Sequence, residues 1–450
     1  MCIRDSDYPD YYPFMDDVND RELRRTLQFK FYNKAVDENY PLLEETIALR
    51  AELASIFGLP SWAHYAMEEK MAKEPEAVEA FYADLVPPLQ RLAEAELDDL
   101  RATMGAADVQ GWDYRYLHTA IRRERYGVDP NEVAAYFPLQ QVLNGMFEIT
   151  GEVLGLAYEP VTDAKTWHPD VSVHRILDRE TGRHLATFYA DLFPREGKFG
   201  HAAAFDLVAP RPDEGQVPVT AIAANFTKPT ADRPSLLKHD EVVTLFHEFG
   251  HVLHNSLGHT RIARFAGFNC EWDFVEAPSQ IMEHWCWTPS VLQRFARHHE
   301  TGEPIPAGLV AQLAEARDLH VALFNLRQIS FGQLDMAYHG PGDDKDLHRI
   351  CKETSEIARF PFHEGTFYPA SFGHLFGYDA GYYGYLWSRV FGDDMFSRFE
   401  EEGVLNPEVG MAYRRSVLEP GGSKDAGDLL RDFLGREPNQ EAFLRHLGLS

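Results

Sequence analysis

His247-Glu248-Phe249-Gly250-His251 sets two imidazoles four residues apart with a carboxylate between them. In a helix, residues four apart share one face about one turn from each other, so both rings can reach a single ion. Zinc in a catalytic site takes three protein ligands and keeps a fourth position open for water. A glutamate beside that water can accept its proton, which gives Glu248 the part of general base. One ligand must then come from elsewhere. Glu276 is the candidate, in Asp273-Phe274-Val275-Glu276-Ala277-Pro278-Ser279-Gln280, twenty-five residues after His251. That interval accommodates a turn and an antiparallel helix returning past the metal. The chemistry implied is metal-assisted hydrolysis, most simply of a peptide bond.

The helix that must carry the motif is amphipathic. Val242, Leu245, Phe246, Phe249, Val252 and Leu253 form one apolar stripe, and Thr244, His247, Glu248, His251, His254 and Asn255 fall opposite it. His239 or Asp240 is expected to cap its start, and Gly258 follows its end. His254 stands about 10 Å along the axis from His247. It is therefore read as a group behind the ligands or a hydrogen-bonded core histidine, not as a ligand. Asp273, Glu276 and Gln280 can share the inner face of the returning helix. Asp273 is read as an acceptor that orients a ligand histidine; the alternative is an acidic residue at a helix start.

A second group lies in His374-Leu375-Phe376-Gly377-Tyr378-Asp379-Ala380-Gly381-Tyr382-Tyr383-Gly384-Tyr385-Leu386-Trp387-Ser388. Helical phase places His374, Tyr378, Tyr382 and Tyr385 on one face and turns Tyr383 elsewhere. Phenol hydroxyls there can donate to the oxyanion that peptide hydrolysis develops. The glycines allow bending and close approach of a substrate backbone. The same pattern would also serve an aromatic packing helix.

Helical pattern dominates residues 20–100, where Leu42, Leu43, Ile47, Leu49, Leu53 and Ile56 recur near helical spacing. Gly58-Leu59-Pro60-Ser61 breaks it, with Ser61 as the next N-cap. A helix is expected from Pro75 to Thr103, open to interruption at Pro87-Pro88. Others are expected over 113–124 and 138–156. Residues 183–193 and 217–226 read as strands of a small sheet before the metal helix. Helices return from Asp240 onward. No linker is long enough to divide the chain.

The 450 residues are 44% hydrophobic and 13% aromatic, which suits a globular enzyme. Net charge is −28, from 71 acids against 43 bases. That balance repels phosphate backbones and anionic lipid, so no nucleic acid and no membrane is expected as a partner. Four cysteines are too few and too scattered for a disulfide framework, which fits a cytoplasmic protein. No run of apolar residues approaches a transmembrane length. Met1–Ser6 reads as a non-native, adapter-derived tail. Residues 7–449 are then the catalytic region, and the natural chain is expected to begin upstream.

These motifs resemble the thimet oligopeptidase family of zinc metallopeptidases, which includes neurolysin, oligopeptidase A and dipeptidyl carboxypeptidase. The resemblance extends to Phe188-Tyr189-Ala190-Asp191-Leu192-Phe193-Pro194-Arg195, to Phe324-Asn325-Leu326-Arg327-Gln328 and to Leu418-Glu419-Pro420-Gly421-Gly422-Ser423. It implies a mainly α, zincin-like fold with a small β-sheet and two helical lobes flanking a deep channel. It implies one Zn2+ per chain held by His247, His251 and Glu276, with Glu248 as base. It places His374, Tyr378, Tyr382 and Tyr385 on the substrate or its tetrahedral intermediate. It also implies short, unfolded peptides as substrates, a monomer, and a further N-terminal helical region outside residues 7–449. Two departures stand out: a single Gly377 replaces the double glycine found in thimet-type members, which shortens the interval from His374 by one residue, and the family's additional N-terminal helical region is missing from residues 7–449. The reading is a metalloendopeptidase acting on oligopeptides. Its rivals are a dipeptidyl carboxypeptidase of the same family and, from another class, a non-catalytic helical binding module.

Overall fold

A computed structural model describes residues 8–342 and 345–449. Met1–Ser6, read above as a non-native tail, lies outside the described residues. The chain forms two compact units. One combines the segment up to Tyr126 with Asp318–Leu386 and the residues from Arg445 onward. The other combines Gly127–Arg317 with Trp387–Leu444. The mainly α expectation with a small sheet holds. Among the described residues, no helix is long and apolar enough to cross a membrane.

The first unit is helical. Ser61 caps the Trp62–Met67 helix as expected, its hydroxyl accepting from the His64 amide. The Pro75–Met104 helix starts on its proline and runs through Pro87-Pro88 without a break. The carbonyls that lose their donors to those two prolines belong to Ala83 and Asp84. Both residues are exposed, so water replaces the missing bonds. The expected 113–124 helix spans Tyr114–Tyr126. In the Val36–Ile56 helix, Leu43 and Ile47 enter the core, whereas Leu42, Leu49, Leu53 and Ile56 are exposed. Apolar residues thus surround this helix, and their spacing alone did not select the buried face.

The second unit is built on a five-stranded sheet: β1 (Leu156–Pro160), β2 (Ser172–Asp178), β3 (His184–Asp191), β4 (Ala203–Val208) and β5 (Val219–Ala223). Their order is β1-β2-β3-β5-β4, with β3 and β5 parallel and the other pairs antiparallel. Strands β3 and β5 are the two expected from sequence. The Leu139–Leu154 helix, expected over 138–156, ends at Gly155 in left-handed conformation. The His239–Leu257 helix packs through the predicted stripe: Val242, Leu245, Phe246, Phe249, Val252 and Leu253 are all buried. Phe249 meets Phe188 of β3 with ring centroids 5.5 Å apart, and Phe147 of the 139–154 helix at 5.8 Å. This aromatic contact sets the helix against the sheet.

Candidate active site

The His239–Leu257 helix begins one residue earlier than expected. Lys238 is its N-cap, and the Glu241 carboxylate closes the end by accepting the Lys238 amide at 2.8 Å. His239 and Asp240 lie inside the first turn, and Gly258 ends the helix as expected. His247 and His251 stand on its open side with 19% and 12% of their side chains exposed. Glu276 meets both: its Oε2 lies 3.1 Å from each Nε2.

The returning helix spans Ala277–Glu283, and Glu276 is its N-cap. Asp273 lies in the preceding turn, so it does not share a helix face with Glu276 and Gln280 as expected. Pro278 sits in the first turn, where a missing N–H costs nothing. The Ser279 hydroxyl bonds both the backbone oxygen of Glu276, at 2.8 Å, and its Oε2, at 2.9 Å. The Glu276 carboxylate is thereby fixed in position. Gly250 lets this segment approach the His239–Leu257 helix closely, because a Cβ there would stand 2.6 Å from the Pro278 carbonyl oxygen.

Behind His247, Nδ1 donates to Glu283 Oε1 at 2.8 Å, which turns Nε2 toward Glu276. Burial alone would lower the His247 pKa, but Glu276 and Glu283 hold it well above the usual histidine range. Burial would raise that of Glu276, yet His251 and His247 keep it well below the carboxylate range. Two imidazoles around one carboxylate thus form a cluster that favours a cation at its centre.

Zinc fits this donor set. A tetrahedral ion with ligand distances near 2.1 Å places its donors about 3.4 Å apart, close to the two separations of 3.1 Å. Three protein donors leave one position for water. Glu248 Oε2 is buried and has no hydrogen-bond partner among the described residues, and burial raises the pKa of its carboxyl. An ionisable oxygen of that kind calls for a water or substrate proton.

His254 is fully buried, with neither ring nitrogen hydrogen-bonded among the described residues and its pKa pushed down to about 3 by burial. The expectation of a hydrogen-bonded core histidine is therefore corrected. Asp273 is buried, and its backbone oxygen accepts the Ser388 hydroxyl at 2.6 Å. The carboxylate that accepts from His247 Nδ1 is that of Glu283, which sequence reasoning missed. Its signal was present: it lies seven residues after Glu276, two helical turns on.

In the first unit, the tyrosine segment is not one helix. Gly373–Phe376 is a 3₁₀ turn, and a helix resumes only at Gly384. Between them Ala380 takes φ 48°. The amides of Ala380, Gly381 and Tyr382 all donate to the buried Asp335 carboxylate, each at 2.9 Å. The chain cannot both coil helically and turn three consecutive amides onto one acceptor. The expected ring group nevertheless forms. His374 lies 5.1 Å from Tyr382 and 5.7 Å from Tyr385 between centroids, and Tyr378 stacks on Tyr385 at 5.3 Å. His374 Nε2 is 3.1 Å from the Tyr385 hydroxyl, and Tyr382 donates to Gln328 Oε1 at 2.9 Å. Tyr383 is fully buried.

Residues 14–449 match the model of peptidase family M3. Oligopeptidase A of Salmonella typhimurium is 37% identical over 98% of this chain and 68% of its own length. A dipeptidyl carboxypeptidase of Escherichia coli is 33% identical over 97% of this chain and 66% of its length. Among solved structures, PZ peptidase A with inhibitor 2 aligns with a TM-score of 0.61 at 14% identity, over 97% of this chain and 69% of that one.

Proposed function

The chain belongs to peptidase family M3 and is a metallopeptidase, and we propose that it is a zinc-dependent oligopeptidase cutting short, unfolded peptides internally. The observation that carries this reading is the convergence of His247, His251 and Glu276 donor atoms at the helix that also carries Glu248, whose buried Oε2 has no hydrogen-bond partner among the described residues. Bound zinc supplies Lewis acidity, lowering the pKa of water and polarising the scissile carbonyl. Glu248 takes the proton from the attacking water and passes it to the leaving amine. Ser279 holds the Glu276 carboxylate, and Glu283 holds the His247 ring by its Nδ1–H. Asp273 is assigned a supporting part beside these ligands. Tyr378, Tyr382, Tyr385 and His374 are assigned to the substrate, their hydroxyl and imidazole N–H groups donating to the developing oxyanion. Strand β4 pairs on one side with β5 and carries exposed Phe205, Leu207 and Val208. It is assigned to hold a substrate backbone by strand addition.

Glu248→Gln tests the assignment. Zinc content is expected to stay at one per chain while peptide cleavage falls by about 10²–10⁴-fold. Cleavage that persists with zinc bound rules out Glu248 as base. The dipeptidyl carboxypeptidase relative favours a second reading, removal of dipeptides from a free C-terminus. One long peptide offered with an amidated and with a free C-terminus separates the two, and equal cleavage is the expected result.

A further inference from the structure

We propose that Glu283, Arg389, Asp393 and His284 form a hydrogen-bonded line of positioning residues that sets how tightly His247 holds its metal. The inference rests on the reading of His247, His251 and Glu276 as ligands of one zinc ion. The line begins at His247 Nδ1, 2.8 Å from Glu283 Oε1. The other oxygen of Glu283 accepts from Arg389 Nη1 at 2.9 Å. Arg389 Nε donates to Asp393 Oδ1 at 3.0 Å, and the same oxygen lies 2.8 Å from His284 Nε2. Asp393 and His284 are buried, and the His284 ring stacks on Phe396 with centroids 4.3 Å apart.

The order of groups matters. A carboxylate on the far nitrogen of a ligand imidazole draws its N–H and makes the near nitrogen a stronger donor. That effect lasts only while the carboxylate stays ionised and aimed. Burying Glu283 works against its charge, and Arg389 offsets this with an opposite charge and a directed bond. Arg389 would swing freely on its long stem without a second anchor. Asp393, one helical turn further on, supplies it, and His284 fixes Asp393 from the segment that follows Glu283. The line therefore joins the metal helix, the returning helix and the helix carrying Arg389 and Asp393. A pair that served packing alone would not need to end on a ligand nitrogen.

The test uses the full chain and reads zinc affinity by competition with a chromophoric chelator at fixed neutral pH, with thermal unfolding of the metal-free protein alongside. Glu283→Gln is expected to weaken zinc by about 10- to 100-fold. Arg389→Met is expected to weaken it by about tenfold, and Arg389→Lys, which keeps the charge and loses the fork, by less. Should Arg389→Met fail to fold, Arg389→Lys and Asp393→Asn carry the comparison. Affinity within about twofold of the parent in Glu283→Gln and Arg389→Lys overturns the inference. His251→Ala separates this from failure of the ligand assignment: if the parent binds no zinc, or His251→Ala binds as tightly as the parent, the assignment itself is wrong.

Discussion

Gly250 shows how much of the site rests on an atom that is not there. A Cβ at this position would stand 2.6 Å from both the Pro278 carbonyl oxygen and the Ser279 Cα. Both are backbone atoms, so no side-chain rotation can relieve the clash. The contact brings Glu276 to within 3.1 Å of both Nε2 atoms. Gly250→Ala is expected to cost about 1–3 kcal/mol of stability by overpacking and to weaken zinc retention. Denaturant midpoints and metal content after dialysis check both. A variant with parental zinc content would show that something else positions Glu276. The pairing of His247 with His251 on one open face was legible because helix geometry fixes what a four-residue interval can do. Gly250 and Glu283 were not, because their parts depend on a neighbouring segment. His254 misled for the same reason: the face opposite the apolar stripe is itself covered, with Asn255 bonded to Thr220 of β5 at 2.8 Å.

At the scale of elements, the tyrosine segment teaches a different lesson. The right four rings were grouped by a helical wheel, yet the segment is a clamped loop. Arg50 donates to the Leu375 carbonyl oxygen and pairs with Asp379, and Lys70 donates to the Ala380 carbonyl oxygen. Asp335 receives the three amides together with His339 Nδ1. None of these partners is close in sequence, so no local pattern could announce them. The sheet was legible in the same partial way. Strands β3 and β5 have largely buried, apolar runs, while β4 is mostly exposed and reads as a loop. Asp335→Asn tests the clamp. Burial alone would raise the Asp335 pKa, but His339 and the amides of Tyr382 and Ala380 hold it below the usual range. A carboxyl depressed in the folded state contributes stability that is present above its unfolded pKa, about 3.9. That contribution drains away as pH falls through the folded value. The asparagine variant is therefore expected to lose about 2–3 kcal/mol near neutrality, with the deficit narrowing below about pH 4. Unfolding midpoints across pH measure it, and a gap that does not change with pH would exclude the charge as the cause. If the rings act on substrate, peptide turnover should fall as well.

The division of the whole molecule was hidden from the sequence because neither unit is a continuous stretch. The chain passes between them after Tyr126, Arg317, Leu386 and Leu444, and the last two passages lie inside the Gly384–Glu402 and Glu441–His446 helices. A helix offers no glycine-rich or charged linker to mark a boundary. Net charge, by contrast, is a whole-chain property that composition reports directly. At −28 it surrounds the protein with a negative potential that any incoming peptide must cross. Long-range attraction acts on encounter, so it should appear in kcat/KM more than in kcat. Two peptides sharing one cleavable centre, one flanked by lysines and the other by glutamates, isolate the effect. At low ionic strength the cationic peptide is expected to have a kcat/KM about tenfold higher. Adding salt shortens the screening length from about 10 Å at 0.1 M to about 3 Å at 1 M. The two values should therefore converge, the cationic one falling and the anionic one rising. A difference that survives high salt would instead place the selection in close contacts at the cleavage site, and the −28 charge would then have no part in choosing peptides.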